Sequence, residues 1–409
     1  MATATKKFDY SVRDAQGKMQ KGSIEAPSEA AVAGRLREMG LAPVAINEVK
    51  TGGLKTEINI PGISNRIKLK DIAILSRQLA TMIASGLSLL RSLSILADQT
   101  ENPALARIIA EVRNDVESGV SLSAAFGKHP ETFPPLMINM VRAGEVGGFL
   151  DSVLESVAKN FEDEVKLRGK IKSAMTYPVV VFIIAIVAVI GMLLFIVPVF
   201  VEMFDNLGGE LPAPTKILVG LSTFLKVGFV PIVIAIFVGM FLWKKNRQKL
   251  EFREKVEPLF LKLPVFGTLI QKIAVSRFTR NLGAMLRAGV PILQSLDIVG
   301  EASGNIVIEH AAKDVRESVR QGNSLAKPLS EHPVFPPMVV QMMAVGEDTG
   351  ALDDMLDKIA DFYDQEVEAT TDALTSLIEP LMIAVLGGVI GGMIIALYMP
   401  IFGVFELIN

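Results

Sequence analysis

Cysteine is missing from all 409 residues, which excludes disulfides, thiolate-held zinc or iron–sulfur centres and thiol catalysis, and leaves the redox compartment unreadable. Histidine is almost missing too: His129, His310 and His332 are all there are, so little remains from which to build a metal site. No excess of either charge exists, since 41 Lys and Arg face 44 Asp and Glu for a formal charge of −3, and nucleic-acid binding therefore finds no support. Catalytic signatures are also wanting. Without G-x-x-x-x-G-K-[ST] the chain has no P-loop with which to hydrolyse ATP, and neither G-x-S-x-G nor H-E-x-x-H occurs. The expectation is a chain that is not an enzyme and holds no cofactor or metal.

What is present is apolar. Hydrophobic residues make up 50% of the chain against 21% charged, and the mean hydropathy is +0.42. Uncharged runs extend from Val179 to Val201 and from Pro380 to Phe405. A helix over the first rises roughly 35 Å, enough to cross a bilayer with some tilt. A third, shorter run from Val227 to Trp243 spans if Leu221 to Leu225 extends it and Lys226 reaches toward the headgroups. Lys166, Arg168, Lys170 and Lys172 precede the first span, and Lys244, Lys245, Arg247 and Lys249 follow the second. The retention of cationic flanks predicts that both lie in the cytoplasm, while 202–220 and 406–409 lie outside. The opening MATATKKFDYSVRD has no apolar run of the signal-peptide kind, so the N-terminus is expected inside.

The chain repeats itself. A shift of 203 residues places Arg77 on Arg280, Leu79 on Leu282, Gly86 on Gly289, Asn102 on Asn305, Gly119 on Gly322 and His129-Pro130 on His332-Pro333. After one deletion a shift of 202 places Phe133-Pro134-Pro135 on Phe335-Pro336-Pro337, and Gly144, Glu145, Gly148, Leu150 and Asp151 on Gly346, Glu347, Gly350, Leu352 and Asp353. Pro178 and Pro198 of the first span fall on Pro380 and Pro400 of the third. The unit is a cytoplasmic domain followed by an outward helix, and the middle span returns the chain so that both copies begin on the same side.

Each copy reads as about six short helices in a bundle. Leu75, Leu79, Met82, Ile83 and Gly86 recur at intervals of three and four. Asn102-Pro103 is a cap and first-turn proline, Gly119 a stop, Ser121 a further cap, and Phe-Pro-Pro opens a helix expected to end at Gly144. Residues 1–50 read differently, as strands through Phe8, Tyr10 and Val12, through Met19 to Glu25 and through Val44, Ile46 and Val49. A turn is expected at 15–18 and a helix after Ser28. The expected architecture is mainly α: an α+β domain (1–50), a linker (51–69), a first bundle (70–172), a span (177–201), an outer loop (202–220), a second span (221–243), a second bundle (244–376), a third span (380–405) and a tail (406–409).

On its twin Gly-Glu-x-x-Gly-x-Leu segments and its His-Pro plus Phe-Pro-Pro loops, the chain resembles the inner-membrane platform proteins of type IV pilus assembly and type II secretion, the PilC/GspF family. The resemblance covers nearly the whole chain. It implies an assembly part without catalysis, on which a cytoplasmic hexameric ATPase docks and which passes conformational work to prepilin or pseudopilin subunits. Other inner-membrane assembly proteins, the bilayer and further copies of the chain are the remaining implied partners. The competing reading, a solute transporter or channel, suffers from the lack of ionisable residues inside the first and third runs.

Two groups of residues stand out as candidate sites. Gly144, Glu145, Gly148, Leu150 and Asp151, with Gly346, Glu347, Gly350, Leu352 and Asp353, form a repeated corner whose carboxylates would meet a basic partner or a divalent cation. The plainer and weightier reading is that such a carboxylate satisfies free amides at a helix start. Ala384, Gly388, Gly392 and Ala396, with Gly387 and Gly391 beside them, form a small-residue stripe for close helix packing, internal, between copies or against a prepilin helix. His129 and His332 read as turn residues retained from duplication, and His310 as a surface residue.

Overall fold

A computed structural model describes residues 6–13, 19–26, 29–38, 42–49 and 66–407, save 208–210, 248 and 265. The expected turn at 15–18 and the linker through residue 65 lie outside the described residues. Two units divide the chain, Met1–Ser64 and Asn65–Asn409.

In the first unit β1 (Lys6–Arg13) is the central strand, antiparallel to both β2 (Met19–Ala26) and β3 (Ala42–Val49). Phe8 pairs with Ile24, and Tyr10 with both Gly22 and Ile46. The β1–β3 register slips between Ser11 and Val12, beside Pro43, which cannot donate to a ladder and is confined to an edge strand or a bulge. The helix α1 (Glu29–Glu38) buries Val32 and Leu36.

Every regular element among the second unit's described residues is a helix. The first copy of the repeat comprises α2 (Leu69–Ala84), α3 (Leu89–Gln99), α4 (Pro103–Glu117), α5 (Leu122–Gly127), α6 (Pro135–Gly147) and α7 (Leu150–Gly191). A π turn (Met192–Ile196) and α8 (Val197–Leu207) carry α7 onward, and α9 (Ala213–Asn246) returns. The second copy is α10 (Leu250–Leu261), α11 (Phe266–Arg287), α12 (Ile292–Ala302), α13 (Ile306–Arg320), α14 (Ala326–Ser330), α15 (Pro337–Thr349) and α16 (Leu352–Leu407).

Local chemistry explains the boundaries. Asn102 Oδ1 accepts from the amides of Ala104 (3.0 Å) and Leu105 (3.4 Å), and Pro103, which has no N–H to leave unpaired, begins α4. Ser121 Oγ accepts from the Ala124 amide at 3.3 Å to open α5. One boundary departs from the sequence reading: α6 does not end at Gly144 but continues through Glu145 to Gly147. Glycine inside a helix costs only about 1 kcal/mol, and the stop comes instead where Gly148 turns left-handed at φ 76°.

One continuous apolar core runs through both copies, with Leu79, Leu93, Met137 and Leu154 of the first and Leu282, Leu296, Met343 and Leu356 of the second all buried. An aromatic pair marks it in each copy: the equivalent Phe133 and Phe335 meet different partners, Phe126 with ring centres 4.2 Å apart and Phe278 at 5.1 Å. From this core α7 and α16 run on without a break into apolar segments. Together with α9 they make three helices long and apolar enough to cross a membrane. Leu193, Val197, Met393 and Leu397 form a separate apolar cluster where these helices meet, joined by Leu218, Val219 and Leu225 of α9.

Candidate functional site

The repeated corner is built by close approach. A Cβ on Gly144 would stand 3.0 Å from Val153 Cβ and 3.1 Å from Leu150 Cα, and one on Gly346 would stand 2.9 Å from Leu352 Cα. Only glycine lets α6 and α15 lie this near the first turns of α7 and α16. Gly148 and Gly350 then reverse the chain at φ 76° and 70°, and the amides of Phe149 and Ala351 reach back to the carbonyls of Gly144 (3.1 Å) and Gly346 (2.9 Å). Leu150 and Leu352 pack on the core, and Asp151 and Asp353 sit in first helical turns, where negative charge meets the positive end of the helix dipole.

The two glutamates serve a different helix from the one they sit on. Glu145 Oε1 and Oε2 accept from the Leu122 (2.5 Å) and Ser123 (3.1 Å) amides at the start of α5. Both oxygens of Glu347 accept from the Leu325 amide at 2.9 Å, just before α14. Each carboxylate thus fastens the helix preceding its own, and its oxygens are engaged by main chain. Among the described residues no group of three or more His, Asp or Glu is arranged to hold a metal ion. Beside these glutamates the chain exposes Val146 and Asp348, equivalent in the repeat, with Val146 86% accessible.

A second duplicated feature went unassigned in the sequence. Arg77 of α2 grips Glu162 of α7 through Nε and Nη2, both at 2.6 Å, and reaches Glu155 at 2.5 Å. Arg280 of α11 meets Asp364 of α16 at 2.6 Å, and Ser276 donates to the same carboxylate at 2.6 Å. The signal was available: Glu162 and Asp364 stand in repeat register, as Arg77 and Arg280 do. The guanidinium of Arg77 holds the Glu162 carboxyl below its ordinary range. Next to it, burial raises the Asp163 carboxyl, against the pull of Arg280 and Lys159. On α13, burial pushes the Glu309 carboxyl up, but Lys313 and Arg253 outweigh it and hold the group below the usual value.

The histidines of the loops repeat their surroundings as well: His129 Nε2 lies 3.5 Å from Glu111, and His332 Nε2 lies 3.3 Å from Asp314. His310 is exposed, 4.0 Å from Glu254.

Beside the shared apolar core, the copies are joined by polar contacts that are not duplicated. Asn160 Nδ2 donates to Asn281 Oδ1 at 2.9 Å, Arg277 Nη2 approaches Glu164 at 2.7 Å, and Gln294 donates to Asn139 at 2.8 Å. A cavity of about 380 Å³ opens here, lined in part by Asn160, Glu164, Arg168, Arg277, Arg280 and Asn281.

The small-residue stripe of α16 divides in two. Ala396 is buried, but Ala384, Gly388 and Gly392 are exposed, and a Cβ built on Gly387, Gly388, Gly391 or Gly392 would meet nothing within 4 Å. Internal packing therefore uses the neighbouring face, Met393 and Leu397, and leaves the glycines uncovered.

Comparison with known proteins agrees with the duplication. The family model described as type II secretion system (T2SS), protein F matches residues 75–198 and again 278–400, and the model of that protein's N-terminal domain matches 1–47. The type IV pilus assembly protein PilC of Myxococcus xanthus is 43% identical over 404 residues, 98% of this chain and 95% of the relative. That of Thermus thermophilus is 43% identical over 362 residues, 88% of this chain and 89% of the relative. The type II secretion system protein F of Vibrio cholerae is 33% identical over 363 residues, 89% of each chain. With two matches in register with its own internal repeat, the chain belongs to the type II secretion system protein F family, in which type IV pilus assembly proteins are also found.

Proposed function

We propose that this protein is the inner-membrane platform of a type IV pilus or type II secretion machine, without catalytic activity of its own. A cytoplasmic hexameric ATPase docks on the bundles, and the platform turns its movements into extraction of prepilin or pseudopilin subunits from the membrane. In this reading the N-terminal unit and both bundles are cytoplasmic and the C-terminus is extracytoplasmic, in accord with the cationic flanks of the first two spans.

The observation that carries the proposal is the continuity of α7 and α16. Each is one helix whose base is embedded in the bundle core, through Val153, Leu154 and Val157 or Leu356, Ile359 and Tyr363, and whose far end is apolar. A bundle displaced by a motor moves such a helix as a unit, because the core is close-packed and does not absorb the displacement. The corner, with Val146 and Asp348 presented beside its glycines, is the surface offered to the ATPase. The uncovered Gly387, Gly388, Gly391 and Gly392 are offered to a second copy or to a subunit's apolar helix.

Deleting the gene tests the reading. Surface filaments or secretion are expected to disappear and to return with the intact gene; filaments and secretion that persist undiminished refute it. Saturable solute flux in vesicles holding the purified protein would favour the transporter reading instead.

A further inference from the structure

Pro198 and Pro400 occupy equivalent places in the two outward-going helices. A proline lacks the N–H that an upstream carbonyl expects, and in a bilayer no water replaces it. In the first of these helices the Val197 amide donates to Met192 O, the register of the π turn, so the next carbonyl, that of Leu193, faces residue 198 and finds no donor. In α16 the carbonyl left without its donor is four residues before Pro400, that of Ala396.

Both carbonyls nevertheless receive a hydrogen bond, and both bonds come from α9. Ser222 Oγ donates to Leu193 O at 2.5 Å, and Thr215 Oγ1 donates to Ala396 O at 2.5 Å. The two hydroxyls are buried. They stand two helical turns apart, on one side of α9. Hydroxyls in helices ordinarily bond to their own preceding turn, as Thr223 does with Val219 O at 2.9 Å. Thr215 and Ser222 reach across to neighbouring helices. Leu218, Val219 and Leu225 of α9 pack beside them on Leu193, Val197, Met393 and Leu397.

We propose that α9, a membrane helix with no counterpart in the repeat, is a latch: Ser222 and Thr215 replace the backbone donors that Pro198 and Pro400 remove, and so keep both outward helices from bending at those prolines. The two side chains are positioning residues, and loss of either hydroxyl leaves a joint free to bend at 193–198 or at 396–400. The inference does not depend on the proposed role in filament assembly.

The test uses the full chain in lipid nanodiscs or mild detergent, with unfolding by SDS as one readout and amide exchange of the 190–203 segment as the other. Ser222→Ala is expected to lower the folded-to-unfolded ratio by about three-fold to about eighteen-fold, the average and the maximum for interhelical hydrogen bonds in membranes. Ser222→Thr, which keeps the hydroxyl, is expected to stay near the parent. In a Pro198→Ala background, where residue 198 regains its N–H, Ser222→Ala is expected to cost less than two-fold, and Thr215→Val is expected to behave likewise against Pro400→Ala. Should the proline variants fail to fold, exchange decides alone: Ser222→Ala speeds exchange at 190–203 by about three-fold or more and leaves 224–243 unchanged. Equal losses with and without the proline, or no change in exchange, would overturn the proposal.

Discussion

Replacing glycine by alanine is expected to have opposite signs at two places on the same helical scaffold, and the structure sets both. Gly169 lies in the interior of α7, exposed, with nothing within 4 Å of the point where a methyl group would stand. There Gly169→Ala gains helix propensity and restricts the unfolded chain, stabilising by about 0.5–1 kcal/mol. Gly144 and Gly346 are also helical, so the same propensity gain applies to them. But a methyl on Gly346 would sit 2.9 Å from Leu352 Cα and 3.0 Å from Met355 Cγ, and one on Gly144 3.0 Å from two Val153 carbons. Main-chain atoms cannot rotate away. Relief requires the first turn of α7 or α16 to withdraw, taking Leu150 or Leu352 off the core, and overpacking of this kind costs about 1–3 kcal/mol. The net for Gly346→Ala is a loss of about 1–2 kcal/mol, with a smaller loss for Gly144→Ala. Amide exchange over 120–155 and 323–357 in the full chain reads these local stabilities, since each 1.4 kcal/mol is tenfold in the opening equilibrium. Stabilisation by Gly144→Ala and Gly346→Ala equal to that of Gly169→Ala would refute the close-approach account of the corner.

Three further outcomes follow from charge. Glu145→Gln removes one of the two acceptor oxygens that hold the Leu122 and Ser123 amides, so exchange at the start of α5 is expected to quicken by an amount equivalent to about 1–2 kcal/mol, with α14 responding alike to Glu347→Gln. Unchanged exchange at those amides would remove the capping role. The buried Asp163 carboxyl titrates above its free value, so it favours folding when protonated, and that contribution is lost as pH rises through its folded value. Asp163→Asn is therefore expected to raise stability at neutral pH and to make no difference below about pH 4, where the unfolded aspartate is protonated too. Glu162 and Glu309 act in the reverse sense: held below their ordinary range, they stabilise above it, and that support is lost as the solution is acidified through their folded values. Thermal unfolding followed from acid to neutral pH checks both signs.

The apolar runs and the repeat were legible because each is a one-dimensional pattern. That Glu145 satisfies free amides at a helix start was legible too, but which helix was not: its amide partners lie 22 and 23 residues back and become neighbours only when α5 folds against α6. The Arg77–Glu162 clamp joins residues 85 apart, so periodicity is silent about it even though both members recur in the second copy. The contact between copies is the least legible of all, since two copies meeting each other need not use equivalent residues: Asn160 and Asn281 pair, but Phe362 and Gln78 stand at their repeat positions. The glycine stripe of α16 reports where a helix can come close, and its spacing holds no information about which helix does.

The central claim is that the duplicated bundles lie on one side of the membrane and α9 makes the return possible. Because the chain has no cysteine, single thiols report this directly: Val146→Cys in the first bundle, Asp348→Cys at the equivalent place in the second, and Ala213→Cys at the start of α9, all exposed positions. With a membrane-impermeant maleimide added to spheroplasts, Ala213→Cys is expected to react, while Val146→Cys and Asp348→Cys react only after lysis. Labelling of either bundle from outside, with the other protected, would contradict the account.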